Sequence, residues 1–223
     1  MQDLISVIMP VKNGEKYIVQ ALENIRNQNM NVEIIVIDDG SEDRTSEIIK
    51  KYNCTLIKNE KSKGQVAAKN QGISVANGEY IIFHDCDDLM RKNSLKTLYD
   101  ELQNNEKLSA VEAQVKDFYS PDMSEEETKR TTIKREPYYG LFSGAILMRK
   151  KIFDIIGKFD ENLNTGEIIE WQTKMDRNNL KIKKIDFIST DRRLHSLNYG
   201  KTHQRKEFVD YAAVLRARLK NNR

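Results

Sequence analysis

Three aspartates, Asp85, Asp87 and Asp88, crowd into the end of "IIFHDCDDLM", directly after Ile81, Ile82 and Phe83. Packed together they repel. Two such charges about 4 Å apart cost on the order of 4 kcal/mol at an effective dielectric near 20. Solvent, a proton or a cation must offset that cost. Hard divalent cations take oxygen ligands, and Mg2+ is usually held by one or two carboxylates plus substrate phosphates. Side chains alternate along extended backbone, so Asp85 and Asp87 point the same way. One could hold a metal or a ribose and the other the metal. A polar turn with Asp88 as a helix N-cap accounts for the same residues without a ligand.

Two more polar clusters follow apolar runs: Lys12-Asn13 after "LISVIMPV", and Asp38-Asp39-Gly40-Ser41 after "VEIIVID". The sequence has no G-x-x-x-x-G-K-[ST], and no G-x-G-x-x-G follows its first apolar run. A nucleotide would therefore be held by other means, and a metal bridging its phosphates is the natural substitute.

The elements that must position these clusters can be read from hydrophobic periodicity. Residues 4–11, 32–38, the stretch "CTLIKN" and 79–85 read as short buried strands. Between them, 14–28, 41–52 and 64–76 read as amphipathic helices, and 94–105 as a fourth. Ser41 is placed to N-cap the second helix. Apolar strands alternating with helices predict a parallel α/β sheet covered on both faces. Ligands of such sheets bind beyond the carboxyl ends of the strands, where all three polar clusters fall. After residue 108 the pattern changes. Residues 110–119 and 182–190 read as strands and 167–175 as a helix, with a further strand and short helix within 138–163. The polar stretch 120–137 has no periodicity and reads as a mobile loop.

Composition narrows the class. With 223 residues the chain can bury one substantial core. A net charge of +3 does not argue for nucleic acid. Basic residues gather near the end of the sequence, at Lys201, Arg205, Lys206, Arg216, Arg218, Lys220 and Arg223. A helix over 204–219 could rest on an anionic membrane surface, present a solvated face, or form a homodimer contact. Cys54 and Cys86 are too few for a disulfide framework and fit a reducing compartment. No secretory signal or membrane-length apolar run is evident, so a cytoplasmic location is expected. Cys86 reads as a buried filler.

Four stretches together carry a resemblance: "SVIMPVKNGEKYIVQALENIRNQ", "EIIVIDDGSEDRT", "KGQVAAKNQGISVANGEYIIFHDCDD" and "GKFDENL". In this order and spacing they resemble the family 2 glycosyltransferases of GT-A fold, continuously over roughly residues 4–100 and more loosely to about 198. The resemblance implies a mainly parallel central sheet flanked by helices. A nucleotide-sugar-binding half would span about 1–108, a mixed acceptor-binding half about 109–200, and a basic C-terminal helix 201–223. It implies transfer of a hexose or N-acetylhexosamine from a nucleoside-diphosphate sugar, with UDP expected, to a glycan, lipid-linked, peptide or small-molecule acceptor. A divalent cation, Mg2+ or Mn2+, would assist, with inversion at the anomeric carbon.

Carried over residue by residue, Pro10, Val11 and Asn13 stand where the first strand meets the base. Asp39, with Asp38 beside it, stands where a carboxylate accepts from the base. Lys69 stands in the family's A-R-N position near the nucleotide, without the planar fork of an arginine. Asp85-Cys86-Asp87 stands for the D-x-D motif, with Asp87 as metal ligand, Asp85 as ribose or sugar contact, and Asp88 near the donor sugar. The segment "STDRRLHSLN" resembles a late Arg-x-His-x-x-Asn motif. His195 could then ligate the metal, and Arg192 or Arg193 could neutralise phosphate.

The catalytic base is where the sequence departs. The family carries Glu-Asp before a helix, whereas here Glu167 is followed by Ile168. Glu167 and Glu170 lie three apart and can face one cleft, so either could serve. Acids there also suit a helix start for dipole reasons. Trp171, Tyr138 and Tyr139 could stack on an acceptor or fill the core. Two alternatives stay open: a degenerate nucleotide-binding subunit without turnover, and a nucleotidyltransferase.

Overall fold

The computed structural model describes residues 3–140, 142–163, 166–196 and 198. The expected basic helix over 201–223 lies outside them. Eight strands form one sheet: β1 (Ile5–Val11), β2 (Val32–Asp38), β3 (Thr55–Lys58), β4 (Tyr80–Phe83), β5 (Leu89–Met90), β6 (Leu108–Tyr119), β7 (Ile146–Arg149) and β8 (Lys181–Leu194). Their order is β3-β2-β1-β4-β7-β6-β8-β5. The first four strands pair in parallel, as alternation with helices requires. β7 runs antiparallel to both β4 and β6, and β5 antiparallel to β8, while β6 and β8 are parallel. The second half thus makes the sheet mixed.

Seven α-helices accompany it among the described residues, with one short 3-10 helix at Ser143–Ala145: α1 (Ile18–Arg26), α2 (Thr45–Ile49), α3 (Gln65–Val75), α4 (Ser94–Gln103), α5 (Glu125–Arg130), α6 (Ile152–Ile156) and α7 (Glu167–Arg177). Side-chain alternation along β1 divides the core. Ile5, Val7, Met9 and Val11 join α1, α2 and α4 on one face. Ile8 joins α3, α6 and α7 on the other. α3 lies close to β1 because Gly72 has no side chain; a Cβ there would come within 2.3 Å of Ile8 Cγ2. None of these helices is long and apolar enough to cross a membrane.

Three local expectations are corrected. Ser41 is not a helix cap: α2 begins only at Thr45, and the Ser41 hydroxyl instead accepts from the Asn13 N–H at 2.9 Å. Residues 120–137 are not all loop. Ser124 and Glu127 form a reciprocal capping box, and three acids in the first turn with two bases in the last sustain α5. β8 extends through Leu194, so "DRRL" is strand and carries Arg192 and Arg193 along the sheet.

Candidate functional site

The carboxyl ends of β1 and β2 are joined by hydrogen bonds. The Asp39 N–H donates to Val11 O at 2.8 Å. Asn13, at φ 54, receives the Glu42 N–H on Oδ1 at 2.9 Å, and the Gly14 N–H donates to Thr45 Oγ1 at 2.8 Å. Gly14 is required for closeness: a Cβ there would meet Val11 Cγ2 at 2.4 Å and Cys86 Sγ at 3.0 Å. Pro10 and Val11 are buried and form a floor, while the Asn13 side chain is exposed at the rim. Asp38 is fully buried and turns inward, accepting from the Ser41 N–H at 2.8 Å and from the Ser46 hydroxyl. It shapes the turn and offers no open face to a ligand.

Asp39 anchors the segment 59–64. Its oxygens accept from Asn59 Nδ2 at 2.9 Å, the Lys63 N–H at 2.8 Å, Ser62 Oγ at 2.6 Å and the Gly64 N–H at 2.9 Å. Burial pushes this carboxyl up, but the bonds from Lys63, Ser62, Asn59 and Gly64 outweigh it and hold it below the usual range.

The acidic cluster follows β4. Burial raises the Asp85 carboxyl to about 6; Lys69 and Arg192 pull against this, and Asp87 and Glu167 add to it. Gln65 Nε2 reaches Asp85 Oδ1 at 3.3 Å. Asp87 Oδ2 lies 2.9 Å from His195 Nε2 and 3.3 Å from Asn198 Nδ2. Asp88 turns away from the cluster: it is 3 % exposed, and its Oδ1 accepts the Arg193 N–H at 2.8 Å, so it ties the cluster to β8. Burial first, and the neighbouring aspartates next, push the Cys86 thiol well above its ordinary value, in keeping with a packing role. The structure therefore brings together the two residues expected at the metal, Asp87 and His195. Among the described residues no group of three or more His, Cys, Asp or Glu side chains is poised around a cation. One carboxylate and one imidazole still fit a Mg2+ or Mn2+ that takes its remaining ligands from a diphosphate.

The second half reaches the same place through α7. Glu167 Oε1 accepts from Lys69 Nζ at 2.5 Å, and Ser143 Oγ lies 3.0 Å from the same nitrogen. The structure packs Ile168 in the core, 2 % exposed. Trp171, 1 % exposed, is a core residue too and not an acceptor platform, because Ile168, Trp171 and Met175 share the buried face of the helix. Glu170 pairs with Lys174 at 2.7 Å along its own helix.

Arg193 is likewise internal. Its guanidinium lies between the rings of Tyr17 and Phe118, donates to Asp87 O at 2.8 Å and to Gln20 Oε1 at 2.8 Å, and so faces α1 instead of a phosphate. Arg192 is nearer the open side, 3.9 Å from Asp117 Oδ1. Tyr138 donates to the same Asp117 oxygen at 2.7 Å, with Lys134 over its ring; burial and this bond push its hydroxyl up to about 12. Tyr139 is 37 % exposed, with Lys184 above it. Sequence reasoning missed Gln65, Asp117, Ser143 and Tyr17, whose ring lies 5.1 Å from that of His195. No local spacing marks them: Gln65 meets Asp85 20 residues away, Asp117 meets Tyr138 21 away, and Ser143 meets Lys69 74 away.

Residues 6–160 match the sequence profile described as "Glycosyl transferase family 2". The chain is 39% identical over 131 residues to the glycosyltransferase GlyG of Streptococcus pneumoniae, covering 56% of this chain and 42% of that protein. It is 29% identical over 181 residues to the minor teichoic acid biosynthesis protein GgaB of Bacillus subtilis, covering 73% of this chain and 20% of GgaB. The chain thus spans less than half the length of these curated relatives. Among solved structures, S. aureus TarS 1-349 in complex with UDP-GlcNAc superimposes with a TM-score of 0.74 at 23% identity, over 98% of this chain and 65% of that one. The mannosyltransferase PcManGT of Pyrobaculum calidifontis, in complex with GDP-Man and Mn2+, gives 0.73 at 18% identity, over 97% of this chain and 65% of that one. The mixed sheet with its flanking helices is the GT-A fold of these enzymes.

Proposed function

Because the chain belongs to glycosyl transferase family 2, we propose that it moves a hexose or N-acetylhexosamine from a UDP-sugar to an acceptor hydroxyl, with inversion. One observation carries this reading. The D-x-D aspartates, the β1–β2 rim and an acid from α7 converge at the carboxyl edge of a single sheet. The complexes of TarS with UDP-GlcNAc and of PcManGT with GDP-Man and Mn2+ support a nucleotide-sugar donor and a divalent cation.

In this reading Asn13 and the segment anchored on Asp39 form the wall for the base. Asp85 meets the ribose or donor sugar, and Arg192 meets the diphosphate. Asp87 and His195 would hold a divalent cation, which when bound offsets the charge growing on the leaving diphosphate. Glu167 takes the acceptor proton as the acceptor oxygen bonds to the anomeric carbon and the bond from that carbon to the diphosphate breaks. Glu167 is preferred to Glu170 because its charge acts on Asp85 of the acidic cluster, whereas Glu170 pairs with Lys174 along its own helix. Tyr138 and Tyr139 line the acceptor side.

Ile168 favours a second reading, a nucleotide-binding subunit without turnover, since this side chain belongs to the core. Incubation with UDP-, GDP- and dTDP-sugars plus Mn2+ separates the two. Release of nucleoside diphosphate from one donor is expected, and binding without release under all conditions would select the second reading. Asp87→Ala should weaken Mn2+-dependent UDP binding at least a hundredfold by calorimetry. Unchanged affinity would remove Asp87 from the metal.

A further inference from the structure

Lys69 occupies the position at which the family resemblance implies a nucleotide contact, yet its side chain is among the best buried charged groups among the described residues. It is 2 % exposed. Its ammonium lies on the Phe83 ring, 5.4 Å from the centroid, and donates to Ser143 and to Glu167. An ammonium has three donors and no acceptor, so its direction is set by the acceptors around it. Here the two acceptors come from the second half of the chain, 74 and 98 residues away.

Glu167 is also constrained from its own side. It is the first residue of α7, after Gly166 in a left-handed conformation at φ 78. The rotation of α7 is fixed by Ile168, Trp171 and Met175 in the core. Glu167 therefore meets Lys69 at the flank of the helix. The pair also stands near Asp85, whose carboxyl feels both charges.

Resting on the glycosyltransferase reading, we propose that Lys69 and Ser143 are positioning residues for Glu167: they hold its carboxylate in place as the base of a site that has Ile168 where the family has aspartate. Lys69 makes no direct contribution to nucleotide affinity. A buried ion pair with a third hydrogen-bonding partner is suited to this task, since removing one member leaves the other charge without its counterpart.

Two probes that need no identified acceptor test this: calorimetry with UDP and Mn2+, and release of UDP from UDP-GlcNAc by water. Lys69→Met should lower UDP release at saturating donor at least tenfold and leave UDP affinity within twofold. Lys69→Arg, which keeps a cation, should restore release to within threefold of the wild type. Glu167→Gln should match Lys69→Met, and the double variant K69M/E167Q should be no slower than the slower single variant, because both act through one carboxylate. Multiplying losses, or a tenfold loss of UDP affinity in Lys69→Met with release at saturation unchanged, overturns the proposal. If Lys69→Met does not fold, Ser143→Ala decides: a threefold or larger loss of release with intact UDP affinity supports it, and unchanged release overturns it. A wild type that binds UDP and releases it at the rate of Lys69→Met overturns this inference alone. A wild type that binds no nucleoside diphosphate overturns the glycosyltransferase reading and this inference with it.

Discussion

The β1–β2 rim and the acidic cluster after β4 lie on one edge of one sheet, but they are held by different parts of the chain. At the rim, Asp38, Asp39, Asn13 and Gly14 find their partners within 31 residues. At the cluster, Asp87 meets His195 across 108 residues, Asp88 meets the Arg193 N–H across 105, and Arg91 meets Asp191 across 100. The rim can form once the first strands pair. Asp87 and Asp88 have these partners only when β8 and the residues just after it are in place. The geometry of the acidic cluster in the first half is therefore a property of the second half as well, and this difference can be broken experimentally.

The largest effect is expected where the second half is anchored. Trp171→Ala removes a side chain 1 % exposed from the core shared by α3, α6 and α7. Large-to-small truncation of such a ring costs about 3–5 kcal/mol. If the two halves depend on each other, circular dichroism and UDP binding should fall together in one denaturant transition at lower concentration. Two separated transitions, with UDP binding kept after the first, would show that the cluster stands without its distant partners.

A smaller and local effect is expected at the rim. Asp39→Asn replaces a carboxylate that accepts four hydrogen bonds, two of them from backbone N–H groups. The loss should be about 2 kcal/mol, the range for bonds to a charged group. Because the folded carboxyl is held below its ordinary value of 3.8, its stabilisation is in place above that pH and fades as pH falls through the depressed value. Amide exchange at Lys63 and Gly64 should accelerate, while the Arg193 amide, bonded to Asp88, keeps its protection. Equal acceleration at all three would erase the distinction between the edges.

The same contrast explains what the sequence reveals. The first half was legible because each strand is a short apolar run, each turn follows it directly, and the polar residues needed beyond the strand end are its next neighbours. Asp85 and Asp87 could be placed on one edge with Asp39 from alternation alone. Asp88 misled because its partner, the Arg193 backbone, is 105 residues away. Trp171 and Arg193 were ambiguous for the same reason: an aromatic or guanidinium can serve a ligand or a core, and the choice is made by elements distant in sequence. Residues 124–130 were missed because a capping box can nucleate a short helix without an apolar stripe, and none of its residues is buried.

The smallest expected effect probes the Tyr138 anchor within the second half, on the proposed acceptor side. Tyr138 lies 21 residues from Asp117 and donates to it at 2.7 Å, while its backbone pairs with Val115. Burial and the Asp117 bond push its hydroxyl up to about 12 from 10.0. The folded state therefore keeps this proton at a pH where the unfolded chain has released it. Stability linked to Tyr138 is complete below the unfolded value, near 10, and is lost as pH rises towards 12. Tyr138→Phe removes the bond, at a cost of about 1 kcal/mol at neutral pH, and removes that titration too. Tyr80 and Tyr99 are also raised, and comparison with the variant subtracts their shared contribution. Urea denaturation from pH 8 to 12 should show the wild type losing on the order of 1 kcal/mol more than Tyr138→Phe, so the two curves converge at the alkaline end. Curves that stay parallel would mean the hydroxyl ionises without strain in the fold. The Asp117 contact would then be too weak to hold the 131–138 segment against β6, and this segment would lack the local anchoring that the rim possesses.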